Sequence, residues 1–360
     1  MTRIVIIGGG PAGINTAQAL AKNLTEADKT EVVVLEKNAY FYHVVGALGL
    51  TSTQTSRTRM FVPYDNAFPK NATKFVRIVR GVATQISSNT NEVLYRAIDK
   101  YDMESSGTTA LHFDYLVLAM GSTYTVPIKQ DSHDYARSAT ESKLQQVRSH
   151  IETANKILVV GGGSVGCEVA AEIKAKYPPR IYAKLNASLA ELGVKVMLGE
   201  RLTERLTANG FERRTLWTNK GTAIESDIQL LCGGFHPVAE LVQDMDPNMQ
   251  LQLEGARYSN MFALGDVCNH PSPKMSFIAG QQGTFLVGEL IAVIRKKQPS
   301  FTKPFPGAAT EVMNLASCPN GGSVMGNWVR SENEDIVTPE YSPVSEQAAT
   351  SVDHPATIYE

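Results

Sequence analysis

The stretch Ile4-Val5-Ile6-Ile7-Gly8-Gly9-Gly10-Pro11-Ala12-Gly13 decides the fold, because four apolar residues run straight into glycines spaced G-x-G-x-x-G. Such a run reads as a buried parallel strand, and the residues after Pro11 read as a helix. Gly8 permits the tight turn, Gly10 lets a pyrophosphate approach the backbone, and Gly13 lets helix and strand pack closely. The phosphate then rests on the helix N-terminus. The next apolar run, Val32 to Leu35, closes at Glu36, 23 residues beyond Gly13. A carboxylate is needed there to bind a ribose 2′-hydroxyl. A mere glycine-rich turn would leave Glu36 unexplained, so the set predicts a dinucleotide-binding unit.

A second copy of the pattern, Ile157-Leu158-Val159-Val160-Gly161-Gly162-Gly163-Ser164-Val165-Gly166, opens equally well and leads into a helix carrying Glu168 and Glu172. Its continuation differs. The same 23-residue step lands on Leu189, within a helical spacing of Ile181, Leu185, Leu189 and Leu192, and Tyr177 meets Pro178 and Pro179. Neither a second strand nor a terminal acid is found, so the strand that reads the ribose is expected to be missing from this half. The expected fold class is α/β, with two Rossmann-like dinucleotide-binding domains, the second inserted in the first and truncated.

With 360 residues, 43% of them hydrophobic, the chain can bury two ordinary cores. A net charge of -2 with scattered basic residues gives no reason to expect nucleic acid. The longest apolar stretch, Phe285 to Ile294, is interrupted by Glu289 and falls short of the ~20 residues that cross a bilayer, so no transmembrane helix is expected. A strand begins by residue 4, which leaves no separate signal peptide before it, and a cytoplasmic location is expected. Cys167, Cys232, Cys268 and Cys318 are too dispersed for a redox pair or a metal quartet and read as buried thiols. No metal site is expected.

Beyond Glu36, the aromatic stretch from Ala39 and the Ser/Thr-rich segment to Met60 read as turns. Residues 74–86 and 92–95 alternate as strands, and Phe113 to Leu118 forms a buried strand closing at Gly121. Val194 to Leu198 and Ile228 to Leu231 are candidate strands of the insert. The chain then returns to the first sheet through Asn260 to Val267 and a helix from Met275 to Ile294. The expected division is an FAD-binding domain over 1–125 and 245–298, an NAD(P)H-binding domain over 126–244, an extension over 299–330 and a tail over 331–360. That tail holds seven acids, three prolines and no lysine or arginine, a composition that cannot offset ordering entropy, and it is expected to be disordered.

The order GGGPAG, LVLAMGS, GGGSVG and ALGDV resembles the two-dinucleotide flavoproteins of the pyridine-nucleotide oxidoreductases over residues 3 to about 315. Three longer strings, FYHVVGAL, GGGSVGCEVAAEIKAKYP and GDVCNHPSPKMSFIAGQQG, look most like the apoptosis-inducing-factor-like, ferroptosis-suppressor-like group, which is related to type II NADH dehydrogenases. The resemblance implies FAD on the first fingerprint, NADH or NADPH on the second, and a quinone or similar small acceptor. It places Gly8, Gly10, Pro11, Ala12 and Gly13 on the FAD pyrophosphate, with Glu36 and the adjacent Lys37 at the adenosine end and the Val82 backbone at the adenine. Ala119, Met120 and Gly121 match a turn in which the group carries threonine where methionine stands here. Asp266 of the Gly265-Asp266 pair would bind the ribityl chain. Gly161, Gly163 and Gly166 would hold the nicotinamide dinucleotide, and Gly234 matches the second half's own turn.

By the same resemblance Lys274 would lie near the flavin ring, where a cation stabilises the anionic reduced form. An exposed lysine is the competing reading. Glu168 would stand where the two cofactors meet, either orienting them or delivering a proton; an acid favoured by the helix dipole is the plainer reading. His43 and His236 are candidates for proton work, because imidazoles titrate near pH ~6.5 and quinone reduction consumes protons. Relative to the group, about twenty residues are missing around Tyr177 to Arg180 and fewer near Pro247 to Gln250. An acidic tail also stands where relatives carry a basic amphipathic segment, so membrane docking is not expected. Two functions follow: an FAD-dependent NAD(P)H oxidoreductase, or an FAD-binding module whose nicotinamide half is impaired.

Overall fold

The structure is a computed structural model. It describes residues 1–44, 60–126, 128–130, 134–162, 165–166, 169–170, 193–233, 236–242, 260–268, 270, 274–297 and 356–359. Its strands are β1 Thr2–Ile7, β2 Thr30–Glu36, β3 Tyr40–Tyr42, β4 Phe61–Pro63, β5 Val76–Ser87, β6 Glu92–Ala97, β7 Thr109–His112, β8 Tyr115–Leu118 and β9 Ser122–Thr123. The remainder are β10 Ile157–Val160, β11 Lys195–Met197, β12 Arg214–Trp217, β13 Ala223–Ser226, β14 Ile228–Leu231, β15 His236–Pro237, β16 Met261–Ala263 and β17 Ala356–Tyr359. Three α-helices are described, α1 Pro11–Asn23, α2 Arg137–Thr153 and α3 Ser276–Ile294.

The first fingerprint lies in a seven-stranded sheet of order β16-β8-β1-β2-β5-β6-β7. β16, β8, β1, β2 and the start of β5 run parallel, while β5, β6 and β7 pair antiparallel and curl the sheet, with a bulge between Ala83 and Gln85. Strand side chains alternate between faces. On one face Ile4, Ile6, Val32, Val34 and Val117 pack under Leu20 of α1 and Leu286 of α3. On the other, Val5, Ile7, Val33 and Leu35 pack on Val93, Leu111 and Phe113. Being buried on both faces explains the unbroken apolar runs.

α3 lies tightly on α1: a Cβ at Gly283 would strike the Thr16 side chain, so glycine sets the approach. The helix, expected from sequence over Met275 to Ile294, has 19 residues and a mean hydropathy of 1.5, so it is long and apolar enough to cross a bilayer by length and composition only. Ile278, Ala279, Gln282, Leu286 and Leu290 are buried along it, the pattern of a core helix.

The second fingerprint lies in a four-stranded parallel sheet of order β11-β17-β10-β14. α2 buries Thr140, Leu144, Val147 and Ile151, a stripe at steps of three and four residues; Val147 and Ile151 join the core of this sheet, whereas Leu144 packs on Tyr40, Tyr42 and Phe61 and Thr140 bonds the Tyr40 hydroxyl. The hairpin of β12 and β13 covers the other face through Leu216 and Ile224 against Leu158. Entry to and exit from this half run side by side, because β9 pairs antiparallel with β15.

Three expectations change. β3 and β4 form an antiparallel pair where turns were expected, with Tyr40 and Tyr42 edge-on to Phe61. β17 falls within the tail expected to be disordered; the rest of that tail lies outside the described residues. The slot beside β10, left open by the shortened second half, is filled by β17 from 196 positions further along the chain, counting Val160 to Ala356.

Candidate functional site

The first fingerprint has the geometry its glycines predict. Gly8 adopts φ +103°, and a Cβ there would press on the carbonyl of Ala119, the residue after β8. At Gly13 a Cβ would collide with the Gly8 carbonyl oxygen, so both positions require glycine. Gly10 is different: a Cβ there meets nothing within 4 Å. That open space faces the start of α1, whose first turn carries Pro11 and no acid, so its positive end is available to a phosphate.

Glu36, 8% exposed, closes the same corner. Its Oε2 accepts the Gly9 N–H at 2.5 Å, and its Oε1 accepts the Asn38 backbone N–H at 2.8 Å and side-chain amide at 2.9 Å. The Asn38 Oδ1 is buried with no donor among the described residues. A buried acceptor of that kind costs stability unless a donor reaches it, and a ribose hydroxyl is such a donor. The Tyr64 hydroxyl donates to the Gly9 carbonyl at 2.9 Å, and burial, aided by the Glu36 charge, pushes that phenol well above its ordinary range. Lys37 follows, half-buried, with its carbonyl accepting from Arg80 Nε at 3.3 Å. Val82 sits in β5 opposite Arg96.

Across α1, Gly265-Asp266-Val267 forms a short 3-10 turn in which the Gly265 N–H donates to the buried Gln282 at 2.7 Å. Asp266 Oδ2 accepts from Ser122 Oγ at 2.6 Å and from Lys129 Nζ at 3.0 Å, and Lys129 also reaches the Ser122 carbonyl at 2.9 Å. This cluster joins β9 to the turn. Nearby, burial and the Asp266 charge push the Tyr124 phenol up to about 12. Met120 packs at the edge of the core, and Gly121 turns the chain with φ +71°. Lys274 is half-buried; its ammonium donates to the carbonyls of Cys268 at 2.5 Å and His270 at 3.1 Å. The charge is thus held on the Cys268-to-Lys274 loop.

A cavity of about 810 Å³ opens between the α1 and α3 N-termini and the β3 corner, lined by Pro11, Phe41, His43, Phe277 and Phe285 among others. His43 therefore reaches the mouth of the first site. His236 lies exposed on β15.

The second fingerprint repeats the first. Gly161 has φ +121°, its Cβ would lie 2.7 Å from the Cys232 carbonyl after β14, and a Cβ at Gly166 would collide with the Gly161 carbonyl oxygen. Gly163, Glu168 and Gly234 lie outside the described residues, as does the shortening near residues 247–250. Cys232 and Cys268 are buried, and neither is in a disulfide. No group of metal ligands occurs among the described residues. Tyr64, Ser122, Lys129 and Gln282 were not foreseen, because their roles are long-range contacts that no local spacing announces.

Two glycine turns, each between parallel strands and each opening a helix, define a two-dinucleotide α/β protein. The family profile of the pyridine nucleotide-disulphide oxidoreductases matches residues 2–283, and the chain belongs to that family. It is an oxidoreductase of the FAD- and NAD(P)H-dependent kind. It is 27% identical over 359 residues to ferroptosis suppressor protein 1 of Homo sapiens, covering 91% of this chain and 89% of that one. The sulfide:quinone oxidoreductase of Aquifex aeolicus has a similar fold, with a TM-score of 0.65 at 15% identity over 94% of this chain and 87% of its own. A NAD-dependent persulfide reductase from A. fulgidus gives a TM-score of 0.62 at 18% identity over 87% of this chain, which spans 62% of that longer protein. The open cradle at Gly10, the Glu36 corner and the orphan Asn38 oxygen fit the pyrophosphate and ribose of FAD.

Proposed function

We propose that this chain passes electrons from NAD(P)H through FAD to a quinone or a similar small acceptor. The observation that carries the reading is the repetition of one glycine-turn geometry in both halves, with the first completed by Glu36. FAD bound at the first turn supplies two-electron acceptance from a nicotinamide and delivery to the acceptor.

The protein's own residues have distinct tasks. Gly10 leaves room for the pyrophosphate, and the α1 N-terminus stabilises its charge. Glu36 and Asn38 bind ribose hydroxyls. Lys129 and Ser122 orient the Asp266 carboxylate toward hydroxyls of the ribityl chain. Lys274, fixed by two carbonyls, places a positive charge beside the same turn. By the resemblance, Glu168, which lies outside the described residues, would orient the nicotinamide or deliver a proton. His43, at the mouth of the aromatic-walled cavity, supplies a proton to a reduced quinone.

A quinone acceptor is supported by the cavity, whose Phe41, Phe277 and Phe285 suit a flat apolar ring, and by the likeness to ferroptosis suppressor protein 1. The competing reading, an FAD-binding module with an impaired nicotinamide half, rests on the missing second strand. β17 in that slot weighs against it. Protein reduced anaerobically and then mixed with a short-chain benzoquinone should reoxidise far faster than with buffer alone. Equal rates would remove the quinone from the proposal.

A further inference from the structure

The spacing G-x-G-x-x-G demands no glycine at its second position, yet Gly9 stands there. The structure supplies the reason. A Cβ at Gly9 would lie 2.6 Å from the Tyr64 hydroxyl and 3.0 Å from Cγ of Glu36, so two side chains from outside the turn enclose this residue. Both of its backbone polar groups are taken: the N–H donates to Glu36 Oε2 at 2.5 Å, and the carbonyl accepts from the Tyr64 hydroxyl at 2.9 Å. Gly9 is buried, so water is no substitute for either partner. Burial, aided by the Glu36 charge, keeps the Tyr64 phenol protonated and therefore a donor.

Neighbouring elements hold Tyr64 in place. It opens the short 3-10 turn Tyr64–Asn66 directly after β4, and the Ala67 N–H closes that turn on the Tyr64 carbonyl at 2.9 Å. Gln18 of α1 donates to the Ala67 carbonyl at 3.0 Å. Through β4 the turn hangs on β3, where Phe61 packs on Tyr40 and Tyr42, and the Tyr40 hydroxyl shares a hydrogen bond of 3.1 Å with Thr140 of α2.

We infer that Tyr64 is a positioning residue for FAD: its hydroxyl sets the orientation of the Gly9–Gly10 peptide, which presents the Gly10 N–H to the pyrophosphate. The role rests on the proposed reading that FAD lies on the first turn. In a trans peptide the N–H points opposite to the carbonyl, so a Gly9 carbonyl held by Tyr64 turns the Gly10 N–H away from Tyr64. That N–H has no partner among the described residues, and a Cβ at Gly10 meets nothing within 4 Å. An anion suits such a donor. Without the hydroxyl, the buried Gly9 carbonyl is left unpaired, and the peptide is free to rotate toward another donor.

The test compares yellow holoprotein of the parent with Tyr64→Phe, Gly9→Ala and the double variant, reading the rate of flavin release on dilution, the phosphorus resonances of bound FAD and the thermal transition. Tyr64→Phe keeps the ring and loses only the hydroxyl. It should release flavin about tenfold faster and displace the pyrophosphate resonances. Gly9→Ala pushes the hydroxyl off the turn, so release should accelerate there too, and adding Tyr64→Phe should change the rate little further. A lowered transition in Tyr64→Phe with the parent's release rate or the parent's phosphorus resonances would assign the hydroxyl to stability alone and overturn the role. Fully multiplicative effects in the double variant would overturn the route through Gly9. Gly10→Val tests the underlying reading separately: FAD retained in that variant would remove the flavin from the first turn, and Tyr64's role with it.

Discussion

Glu36 Oε2 accepts the backbone N–H of Gly9 at 2.5 Å, so the acid that closes the second strand is bonded directly to the turn that holds the phosphates. The same carboxylate also accepts both Asn38 donors. Glu36→Ala strands three donors in a buried corner, at about 1–3 kcal/mol for each group left unpaired. The purified variant should carry less FAD and melt at lower temperature. Full flavin content with an unchanged transition would detach Glu36 from the site.

Gly10 and Gly13 should respond differently to the same substitution. Gly10→Val adds a side chain where none meets a protein atom, so the chain should fold normally yet be colourless, because the pyrophosphate has lost its space. Gly13→Val drives a side chain into the Gly8 carbonyl and should yield misfolded protein. Circular dichroism and flavin absorbance separate the two. A yellow Gly10→Val protein would contradict the FAD assignment.

Asp266→Ala removes the shared acceptor of Ser122 and Lys129 and leaves a half-buried ammonium without its carboxylate. Flavin should dissociate at lower denaturant concentration, while exchange protection in β10 and β14, which lie in the other sheet, should be unaltered. Flavin retained as in the parent would place Asp266 outside the site.

Arg295, just past the end of α3, bonds Asp28 through Nε at 2.8 Å, and with the Thr25 N–H it holds that carboxyl below the usual carboxylate range. A carboxyl whose folded pKa is depressed contributes stability that is present above its unfolded value, near ~3.9, and lost as pH falls through the folded value. Arg295→Gln should therefore lower the thermal transition at neutral pH, with the difference from the parent shrinking as pH falls below about 4. A difference independent of pH would assign the loss to packing.

Much of this was legible in the sequence where the signal is local. The fingerprints, the step from Gly13 to Glu36 and the Gly265-Asp266 turn are short-range patterns with a single physical meaning. The α1 contact with α3 was half-visible, since Gly283 marks a close approach without naming Thr16 as its neighbour. Lys129 was invisible: its partner Asp266 lies 137 residues away, and an isolated lysine reads as solvated. β17 was hidden for another reason. Four strand-forming residues inside an acidic, proline-bearing segment are outweighed by its composition, and only the open slot beside β10 gives them a place.

The central claim is that a nicotinamide bound in the second half reduces a flavin bound in the first. Anaerobic stopped-flow mixing of the purified yellow protein with NADH tests it most directly. The account predicts that the flavin absorbance bleaches in a saturable phase; an undiminished flavin band at millimolar NADH and NADPH would contradict it.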